Sequence, residues 1–379
     1  MIEWPVLALY IHWPFCLSKC PYCDFNSHVR EKIDEKAWQQ ALLKELQRTA
    51  VLTGPRQLTS IFFGGGTPSL MSPQTVAAVI DQAQMLWSFD PNIEITLEAN
   101  PNSVEVAKFQ QLKSAGVNRV SLGIQALNDG DLKGLGRQHS AKEAIAAIAT
   151  ATQVFNRVSC DLIYARPQQT LLNWKQELAT MLSFGTSHVS LYQLTIEAGT
   201  AFETLYRRGD LKIPEENLAS DLYEQTQEMM NTAGFPAYEV SNHARVGEES
   251  RHNLSYWRYQ DYAGVGPGAH GRLTVSGQKV ATKQYRAPET WLKKVEDTGT
   301  GEEETILLNP QEQTVEAVMM GLRLSEGIDL NSLPALEMIN AAQQHTLVYA
   351  GFLEQNGSQL TATLAGRQRL NTVLGQLLG

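Results

Sequence analysis

Short strand-like runs alternate with helical stretches over about the first 195 residues, and this alternation restricts the fold more than any other feature of the sequence. Apolar runs rich in β-branched residues predict six strands, over residues 6–12, 60–63, 93–98, 119–124, 158–164 and 188–194. Helix-start signals lie between them, at Asp34, Ser72, Ser103 and Ser140. This order predicts βα units around a parallel sheet. Because six units are too few to close an eight-stranded barrel, we expect an α/β fold with an open, partial (β/α)6 TIM-like barrel.

Chemically distinctive motifs follow the predicted strands. Three cysteines come after the first strand, and a glycine-rich run over residues 64–68 comes after the second. Glu98 ends the third strand, Gln125 follows the fourth, and the segment 164–167 ends the fifth. Since reactive groups of barrels lie at the C-terminal ends of the strands, we expect these motifs to share one rim.

The cysteines form a CxxxCxxC run, made of Cys16, Cys20 and Cys23. Thiolates grouped in this way indicate a metal site. Three of them can hold three irons of a cubane iron–sulfur cluster and leave the fourth iron open to a ligand. A structural zinc site completed by His12 or His28 is the alternative. Cys160 stands apart in an apolar strand, and we interpret it as a buried small hydrophobic residue.

Composition excludes several classes of protein. With 43% apolar and 19% charged residues, the chain is expected to fold rather than to be disordered. Its net charge of −9 argues against nucleic acid or an anionic membrane as a general partner. The sequence has no signal-peptide pattern, no apolar run long enough to span a bilayer and no disulfide framework among its four cysteines. We therefore expect a cytoplasmic protein without a transmembrane segment, and leave transient membrane contact and a homodimer open.

The pattern changes beyond residue 213. A long helix is expected over 216–233, followed by glycine-rich and aromatic segments that resemble loops and short strands. The charged stretch 296–305 resembles a linker, and the helical patterns after it predict a small, mainly helical, winged-helix-like domain. We therefore predict three parts: a barrel core over 1–213, an extension over 214–295 that completes it, and a C-terminal domain over 306–379.

Polar residues near the strand ends could bind a cofactor laid across the rim, and they are Glu98, Gln125, Arg137 and Asp161. The glycine-rich run GGGTP lacks the Gly-Lys-Ser/Thr ending of a phosphate loop. In the aromatic segment, His252 and Tyr256 belong to an HNxxY motif. Histidine and tyrosine are both haem ligand types, although the residues alone favour a structural or hydrogen-bonding histidine.

Taken together, the motifs resemble those of the radical S-adenosylmethionine superfamily, which combines CxxxCxxC with a glycine-rich run on the next strand. The segments YIHWPFC, GGGTPS, SLGIQ, LGRQHS, DLIY and GPGAHG resemble the oxygen-independent coproporphyrinogen III oxidase family, and more specifically its HemW-type branch of haem chaperones. The resemblance covers nearly the whole chain. It implies that Cys16, Cys20 and Cys23 hold a [4Fe-4S] cluster whose open iron binds S-adenosylmethionine.

The resemblance also implies the other site residues. The cofactor would be lined by Tyr10, Tyr22, Gly65, Gly66, Thr67, Glu98, Gln125, Arg137 and Asp161. The HNxxY motif implies haem binding by His252 and Tyr256. No catalytic residue is assigned, because cleavage of the cofactor to a 5'-deoxyadenosyl radical is chemistry of the cluster and the cofactor.

One position separates the branches of the family. The oxidases carry a further cysteine two residues after the third, where this chain has Phe25. The resemblance therefore implies a haem chaperone that transfers haem to acceptor proteins, with oxidative decarboxylation of coproporphyrinogen III as the alternative. Radical chemistry stays open, but oxidase activity is not expected. The chain also departs from the family's DLIYGLPGQT: it reads DLIYARPQQT, which puts the shape of the loop at 165–168 in question.

Overall fold

An eleven-stranded mixed sheet forms the centre of the computed structural model, which describes residues 4–379. Residues 1–3 of the predicted barrel core lie outside the described residues. In chain order the strands are β1 (Val6–Trp13), β2 (Gln57–Gly65), β3 (Ser88–Ala99), β4 (Arg119–Gln125), β5 (Arg157–Tyr164), β6 (His188–Gln193), β7 (Asn242–Ala244), β8 (Tyr262–Val265), β9 (His270–Val275), β10 (Gln278–Gln284) and β11 (Glu302–Leu307). The six predicted strands correspond to β1–β6 and are confirmed.

The order of strands across the sheet is β11-β10-β9-β8-β1-β2-β3-β4-β5-β6-β7. Strands β1 to β6 run parallel, and each pairs with the next one along the chain. This is the open, partial (β/α)6 barrel that the alternation predicts. Strand β8 adds a parallel strand on the other side of β1, while β9–β11 and β7 are antiparallel to their neighbours.

Helices connect the strands, and three of the four predicted polar start residues cap their helices. They are α1 (Glu35–Thr53), α2 (Pro73–Leu86), α3 (Ser103–Val106), α4 (Phe109–Ser114), α5 (Asp129–Gly134), α6 (Ala141–Val154), α7 (Leu171–Leu182), α8 (Ala201–Arg208), α9 (Glu216–Thr232), α10 (Arg251–Trp257), α11 (Pro288–Thr298), α12 (Pro310–Gly321), α13 (Ala341–Tyr349), α14 (Leu364–Gln368) and α15 (Leu370–Leu378). Asp34 and Ser72 cap their helices, and Ser140 forms a capping box with Glu143. Ser103 does not cap its helix, because Asn102 does so one residue earlier.

The main hydrophobic core packs between the sheet and its helices. Aromatic rings join three elements at one end: Trp38 of α1 stacks on Trp291 of α11 with centroids 5.5 Å apart, and Trp13 of β1 meets Trp38 edge-on at 6.0 Å. Cys160 is fully buried in this core, as its apolar surroundings predict. The barrel is therefore a packed scaffold on which the strand ends can present functional groups.

The C-terminal part of the chain has a second hydrophobic core, formed by residues 318–377. It contains α12, α13, α14, α15 and a three-stranded antiparallel sheet of β12 (Ile328–Asp329), β13 (Leu353–Asn356) and β14 (Gln359–Ala362). This part of the chain is mainly helical, as predicted. We propose 306–379 as a separate domain, in addition to 1–213 and 214–295. No helix in the described part of the chain is long and apolar enough to cross a membrane.

The predicted linker over 296–305 is wrong. Helix α11 continues to Thr298, and β11 begins at Glu302 and pairs with β10 at the edge of the main sheet. The run of acidic residues resembles a solvated linker because this edge strand is exposed along most of its length.

Candidate functional site

A cavity of about 480 Å³ lies at the C-terminal ends of the parallel strands and contains the cysteine run. We call it the cysteine cavity. Of the predicted site residues, those that line it are Cys16, Cys20, Cys23, Tyr22, Gly65, Gly66, Thr67, Glu98, Gln125, Arg137 and Asp161. The strand-end motifs therefore share one rim, as expected from the barrel topology.

Each cysteine thiol of the cavity has a polar neighbour. The sulfur-to-neighbour distances are 3.4 Å from Cys16 to Thr67 Oγ1, 3.4 Å from Cys20 to Arg137 Nη1 and 3.9 Å from Cys23 to Ser27 Oγ. Burial raises the pKa of the Cys16 thiol, and the hydrogen bond from Thr67 opposes that rise. Among residues 4–379, no three His, Cys, Asp or Glu side chains are arranged to hold a single metal ion. The thiols instead line a shared space.

The glycine-rich run places the cysteine loop by backbone contact. Gly66 N donates to Trp13 O at 2.7 Å, and Thr67 N donates to Phe15 O at 2.8 Å. A Cβ on Gly66 would lie 2.7 Å from the Phe15 oxygen, which is too close for any other residue without movement. Gly65 has a φ of 115°, a conformation that side chains rarely adopt, and its amide faces Glu98 Oε2 at 3.3 Å.

Arg137 connects three parts of the rim. Besides its contact with Cys20, its Nη2 donates to Asn100 Oδ1 at 2.5 Å and to Gly123 O at 3.0 Å. Its Nε is buried and has no hydrogen-bond partner among the described residues. Such an unpartnered donor on a cavity wall is available to a bound ligand.

Two carboxyl groups, Glu98 and Asp161, form the floor of the cysteine cavity. Burial, and then the charge of Asp161, raise the pKa of Glu98 to about 8. Burial also raises the pKa of Asp161, although Ser121 Oγ donates to both of its carboxylate oxygens at 3.2 Å. A cationic ligand above this floor would favour the ionised forms of both groups.

A second cavity of about 210 Å³ lies inside the barrel, and we call it the inner cavity. Tyr10, His252 and Tyr256 line it, whereas none of the three lines the cysteine cavity. Glu98 and Asp161 line both cavities. The structure therefore does not bring Tyr10 to the wall that the other predicted cofactor residues form.

His252 is buried in the inner cavity with both ring nitrogens engaged. Its Nδ1 lies 2.8 Å from Ser60 Oγ, and its Nε2 is hydrogen-bonded to the Tyr256 hydroxyl. The Phe62 ring stacks on the imidazole with centroids 4.9 Å apart. Burial lowers the pKa of His252 to about 3, so the imidazole is neutral at pH 7. This geometry is that of a hydrogen-bonding histidine, and a metal could bind it only after one of these bonds is released.

The loop at 165–168 keeps a turn despite its missing glycines. Ala165 and Gln168 adopt φ values of 56° and 62°. Both stand where the family motif DLIYGLPGQT has glycine. Gln125, on the neighbouring strand, also has a positive φ of 67°. Three non-glycine residues therefore hold left-handed conformations near the cysteine cavity.

The segment after the third predicted strand also brings Asn100 to the cysteine cavity. Sequence reasoning missed several other residues of this cavity, namely His139, Tyr192, Gln193, Thr195 and Glu197. Tyr192 and Gln193 end β6, so the strand-end rule that identified Glu98 could also have found them. His139 Nε2 lies 3.1 Å from Ile124 O. The strand-end rule does not mark His139, but it belongs to the segment LGRQHS, which carries the family resemblance. Phe25, which stands where the oxidases carry a further cysteine, also lines this cavity, and its side chain is 60% exposed.

The residues of the cysteine cavity fit an iron–sulfur cluster and S-adenosylmethionine. Three thiols with nearby hydrogen-bond donors supply the ligand chemistry of a cluster. The backbone cradle at Gly65 and Gly66 leaves no room for side chains, and the buried Arg137 Nε and the Glu98 carboxyl supply a donor and an acceptor. These features meet what an amino acid bearing a sulfonium group would need.

Comparison with known proteins gives a consistent result. Family models match the radical SAM superfamily over residues 10–179 and the HemN C-terminal domain over residues 308–369. The mitochondrial radical S-adenosyl methionine domain-containing protein 1 of Bos taurus is 42% identical over 326 residues, covering 85% of this chain and 74% of that protein. The heme chaperone HemW of Haemophilus influenzae is 41% identical over 300 residues, covering 77% of each chain.

A solved structure supports the fold. The coproporphyrinogen III oxidase HemN from Escherichia coli matches with a TM-score of 0.80 over 99% of this chain and 90% of that one, at 20% sequence identity. At this identity the match concerns the fold alone.

The heme chaperone HemW of Escherichia coli is 38% identical over 295 residues, covering 77% of each chain. With relatives this similar over most of their length, the chain belongs to the radical S-adenosylmethionine superfamily, in the family that includes the heme chaperone HemW.

Proposed function

We propose that this protein is a haem chaperone, which binds haem together with a [4Fe-4S] cluster and S-adenosylmethionine and transfers haem to acceptor proteins. Membership of the superfamily implies the cluster and S-adenosylmethionine. The observation that carries the proposal is the gathering of Cys16, Cys20 and Cys23 with the strand-end polar residues on one cavity. Bound there, the cluster would supply an electron for reductive cleavage of the sulfonium group.

The chain's own residues would hold and shield these groups. Cys16, Cys20 and Cys23 would ligate the cluster, with Thr67 and Arg137 donating hydrogen bonds to two of the sulfurs. Gln125, Glu98 and Asp161 would hydrogen-bond the polar parts of S-adenosylmethionine. Gly65 and Gly66 would let the backbone approach it.

The haem part of the proposal is supported by the family and by one motif. Relatives that are about 40% identical are named heme chaperones, and the chain carries HNxxY as His252 and Tyr256. We propose His252 as a haem ligand. Because its nitrogens bond Ser60 and Tyr256 in this structure, ligation would require the bond to Tyr256 or Ser60 to break. Haem binding would thus include a local rearrangement of α10.

A matched pair of variants tests the ligand. His188 also lines the inner cavity, and its ring nitrogens also bond a serine and a tyrosine, Ser159 Oγ at 2.7 Å and Tyr238 OH at 2.9 Å. We expect His252→Ala to lose haem binding, measured by Soret titration, and His188→Ala to keep it. Equal binding by both variants would refute the role of His252. If haem does not bind the wild-type protein, the proposed chaperone function is refuted.

The oxidase alternative is answered by one assay. Anaerobically reconstituted protein should bind haem and form no protoporphyrinogen from coproporphyrinogen III. Turnover of that substrate would overturn the proposal.

The cellular site and partners are part of the same proposal. We propose a cytoplasmic location, because three of the four cysteines serve one cavity and Cys160 is buried as a core residue. The related protein of Bos taurus carries "mitochondrial" in its name, so fractionation of the source cells is the direct check. We further propose unidentified haem-acceptor proteins as partners, testable by haem transfer to candidate apoproteins.

A further inference from the structure

A buried arginine, Arg166, lies in the loop after β5, beside the cysteine cavity but outside its lining. Its side chain is only 2% exposed. The guanidinium forms a two-bond ion pair with Glu177 of α7, with Nη1 3.2 Å from Oε1 and Nη2 bonded to Oε2. Nη2 also lies 2.8 Å from Asp131 Oδ2 of α5. The arginine therefore joins α5 and α7.

The same ion pair holds the backbone that leads from β4 into α5. Arg166 Nη1 donates to Gln125 O at 3.2 Å and to Ile163 O at 3.0 Å. Glu177 Oε1 accepts from Leu127 N at 2.6 Å. Together with the contact to Asp131, the pair binds the segment 125–131 at three points.

Two residues of the cysteine cavity depend on the position of this segment. Gln125 is at its start, and Arg137, which contacts Cys20, follows the end of α5. The Arg137 backbone amide donates to Leu132 O of that helix at 2.9 Å, so the position of α5 fixes the position of the Arg137 backbone. The side chains of Arg166 and Glu177 are absent from the cavity lining, so they act on a ligand only indirectly, through this segment and through Ile163.

The strained residues lie around the same guanidinium. Gln125, Ala165 and Gln168 have φ values of 67°, 56° and 62°, and the first of these provides a carbonyl to Arg166. Left-handed conformations are unfavourable for residues other than glycine and persist only where surrounding contacts fix them. The bonds from Arg166 to flanking carbonyls are contacts of that kind.

We propose that Arg166 and Glu177 form a clamp that positions Gln125 and Arg137 for binding of S-adenosylmethionine. Both are positioning residues and touch no ligand themselves. Removing one partner of a buried ion pair leaves the other charge uncompensated and destabilises the fold, so the geometric effect of the clamp is measured by ligand affinity relative to a control variant that loses a similar pair. The identity of the ligand rests on the proposed function, whereas the clamp itself does not.

Two variants test the clamp. Arg166→Leu removes all the bonds of the guanidinium, and Glu177→Gln keeps the side-chain shape and the acceptor for Leu127 while removing the charge. The control is Arg56→Leu, because Arg56 forms a similarly buried pair with Asp261 at 3.1 Å and lines neither cavity. A fourth variant adds Ala165→Gly and Gln168→Gly to Arg166→Leu, since glycine removes the left-handed strain.

The first measurement is the dissociation constant of S-adenosylmethionine on anaerobically reconstituted protein, with iron and sulfide content determined alongside. We expect Arg166→Leu and Glu177→Gln to weaken binding about tenfold at unchanged cluster content, which corresponds to about 1.4 kcal/mol. Arg56→Leu should lower the melting temperature and leave the affinity unchanged. The glycine-containing variant should regain part of the affinity. Unchanged affinity in both clamp variants, or an equal loss in Arg56→Leu, would overturn the proposal.

The second measurement needs no cofactor. Hydrogen exchange of the backbone over residues 125–137 should be faster in both clamp variants than in Arg56→Leu, because the clamp fixes that segment. Equal protection in all three variants would refute the clamp. If the wild-type protein fails to bind S-adenosylmethionine, the proposed function is refuted, and the exchange result still decides the clamp.

Discussion

Replacing Gly65 by alanine should lower the stability of the fold in two ways, through an unfavourable backbone conformation and through a steric clash. Two other glycines each show only one of these effects. Gly65 ends β2 with a φ of 115°. A Cβ there would lie 2.6 Å from His12 Cε1 and 2.9 Å from the Trp13 carbonyl oxygen. The backbone atom cannot move away without displacing β1, the strand that leads to the cysteine loop. We therefore expect both a conformational penalty and a steric penalty.

The size of the effect follows from the two terms. A left-handed conformation costs an L-residue about 1–2 kcal/mol, and overpacking typically costs about 1–3 kcal/mol. Gly65→Ala should therefore lower the free energy of unfolding by about 2–5 kcal/mol. Gly209 isolates the first term, because it caps α8 at a φ of 78° and nothing lies within 4 Å of its added Cβ. Gly66 isolates the second term, with a Cβ 2.7 Å from Phe15 O and no positive φ.

Urea unfolding followed by circular dichroism measures all three variants. Gly209→Ala should lose about 1–2 kcal/mol and Gly66→Ala about 1–3 kcal/mol, and Gly65→Ala should lose more than either. Binding of S-adenosylmethionine should fall for the two cavity glycines and stay unchanged for Gly209→Ala. If Gly65→Ala is as stable as Gly209→Ala within about 0.5 kcal/mol, the steric argument is refuted.

Three further predictions concern the cysteine cavity. Burial and the charge of Asp161 raise the pKa of Glu98 to about 8, so the native state holds the Glu98 proton more tightly than the unfolded state does. The contribution of Glu98 to the free energy of unfolding is therefore fully present below its ordinary pKa and is lost as the pH rises through about 8. Glu98→Gln should flatten this fall in the free energy of unfolding, and an unchanged slope would contradict it. Thr67→Val removes the donor 3.4 Å from Cys16 Sγ and should slow alkylation of that thiol in the cluster-free protein, whereas equal rates would show that the contact has no effect. Burial, together with the charge of Arg137, lowers the pKa of His139 to about 4, so its nitrogen-15 NMR shifts should stay constant between about pH 6 and 8, and a titration there would refute its burial.

The parallel strands could be predicted from sequence because each contains a run of buried, mostly apolar residues. The edge strands could not. Strand β11 contains three consecutive glutamates, Glu302 to Glu304, and pairs on one side only, so its sequence has the polarity of a linker. Strand β8 has only four residues, Tyr262–Val265, and its parallel pairing with β1 is a long-range contact that no local pattern contains.

The site was predictable in so far as it follows strand ends. Glu98 and Gln125 were found by this rule, and both line the cysteine cavity. Tyr10 was assigned by resemblance, and its position along β1 explains why it lines the inner cavity and not the cysteine cavity. It stands three residues before the end of β1 at Trp13, which places it about 10 Å below the rim at the rise of a strand. His252 reaches the inner cavity from α10, outside the repeating βα units, and only tertiary packing determines that placement.

The two cavities share the carboxyl groups of Glu98 and Asp161, and this shared wall links events on its two sides. The charge of Glu98 contributes, after burial, to the raised pKa of Tyr10 in the inner cavity. A cationic ligand in the cysteine cavity would favour ionised Glu98, and that negative charge would then act on the hydrogen bonds around Tyr10 and Tyr256. Linkage requires the reverse effect to be equal in size. If haem binds at His252, it must therefore change the affinity for S-adenosylmethionine by the same factor by which S-adenosylmethionine changes the affinity for haem, and Glu98→Gln must reduce both factors together.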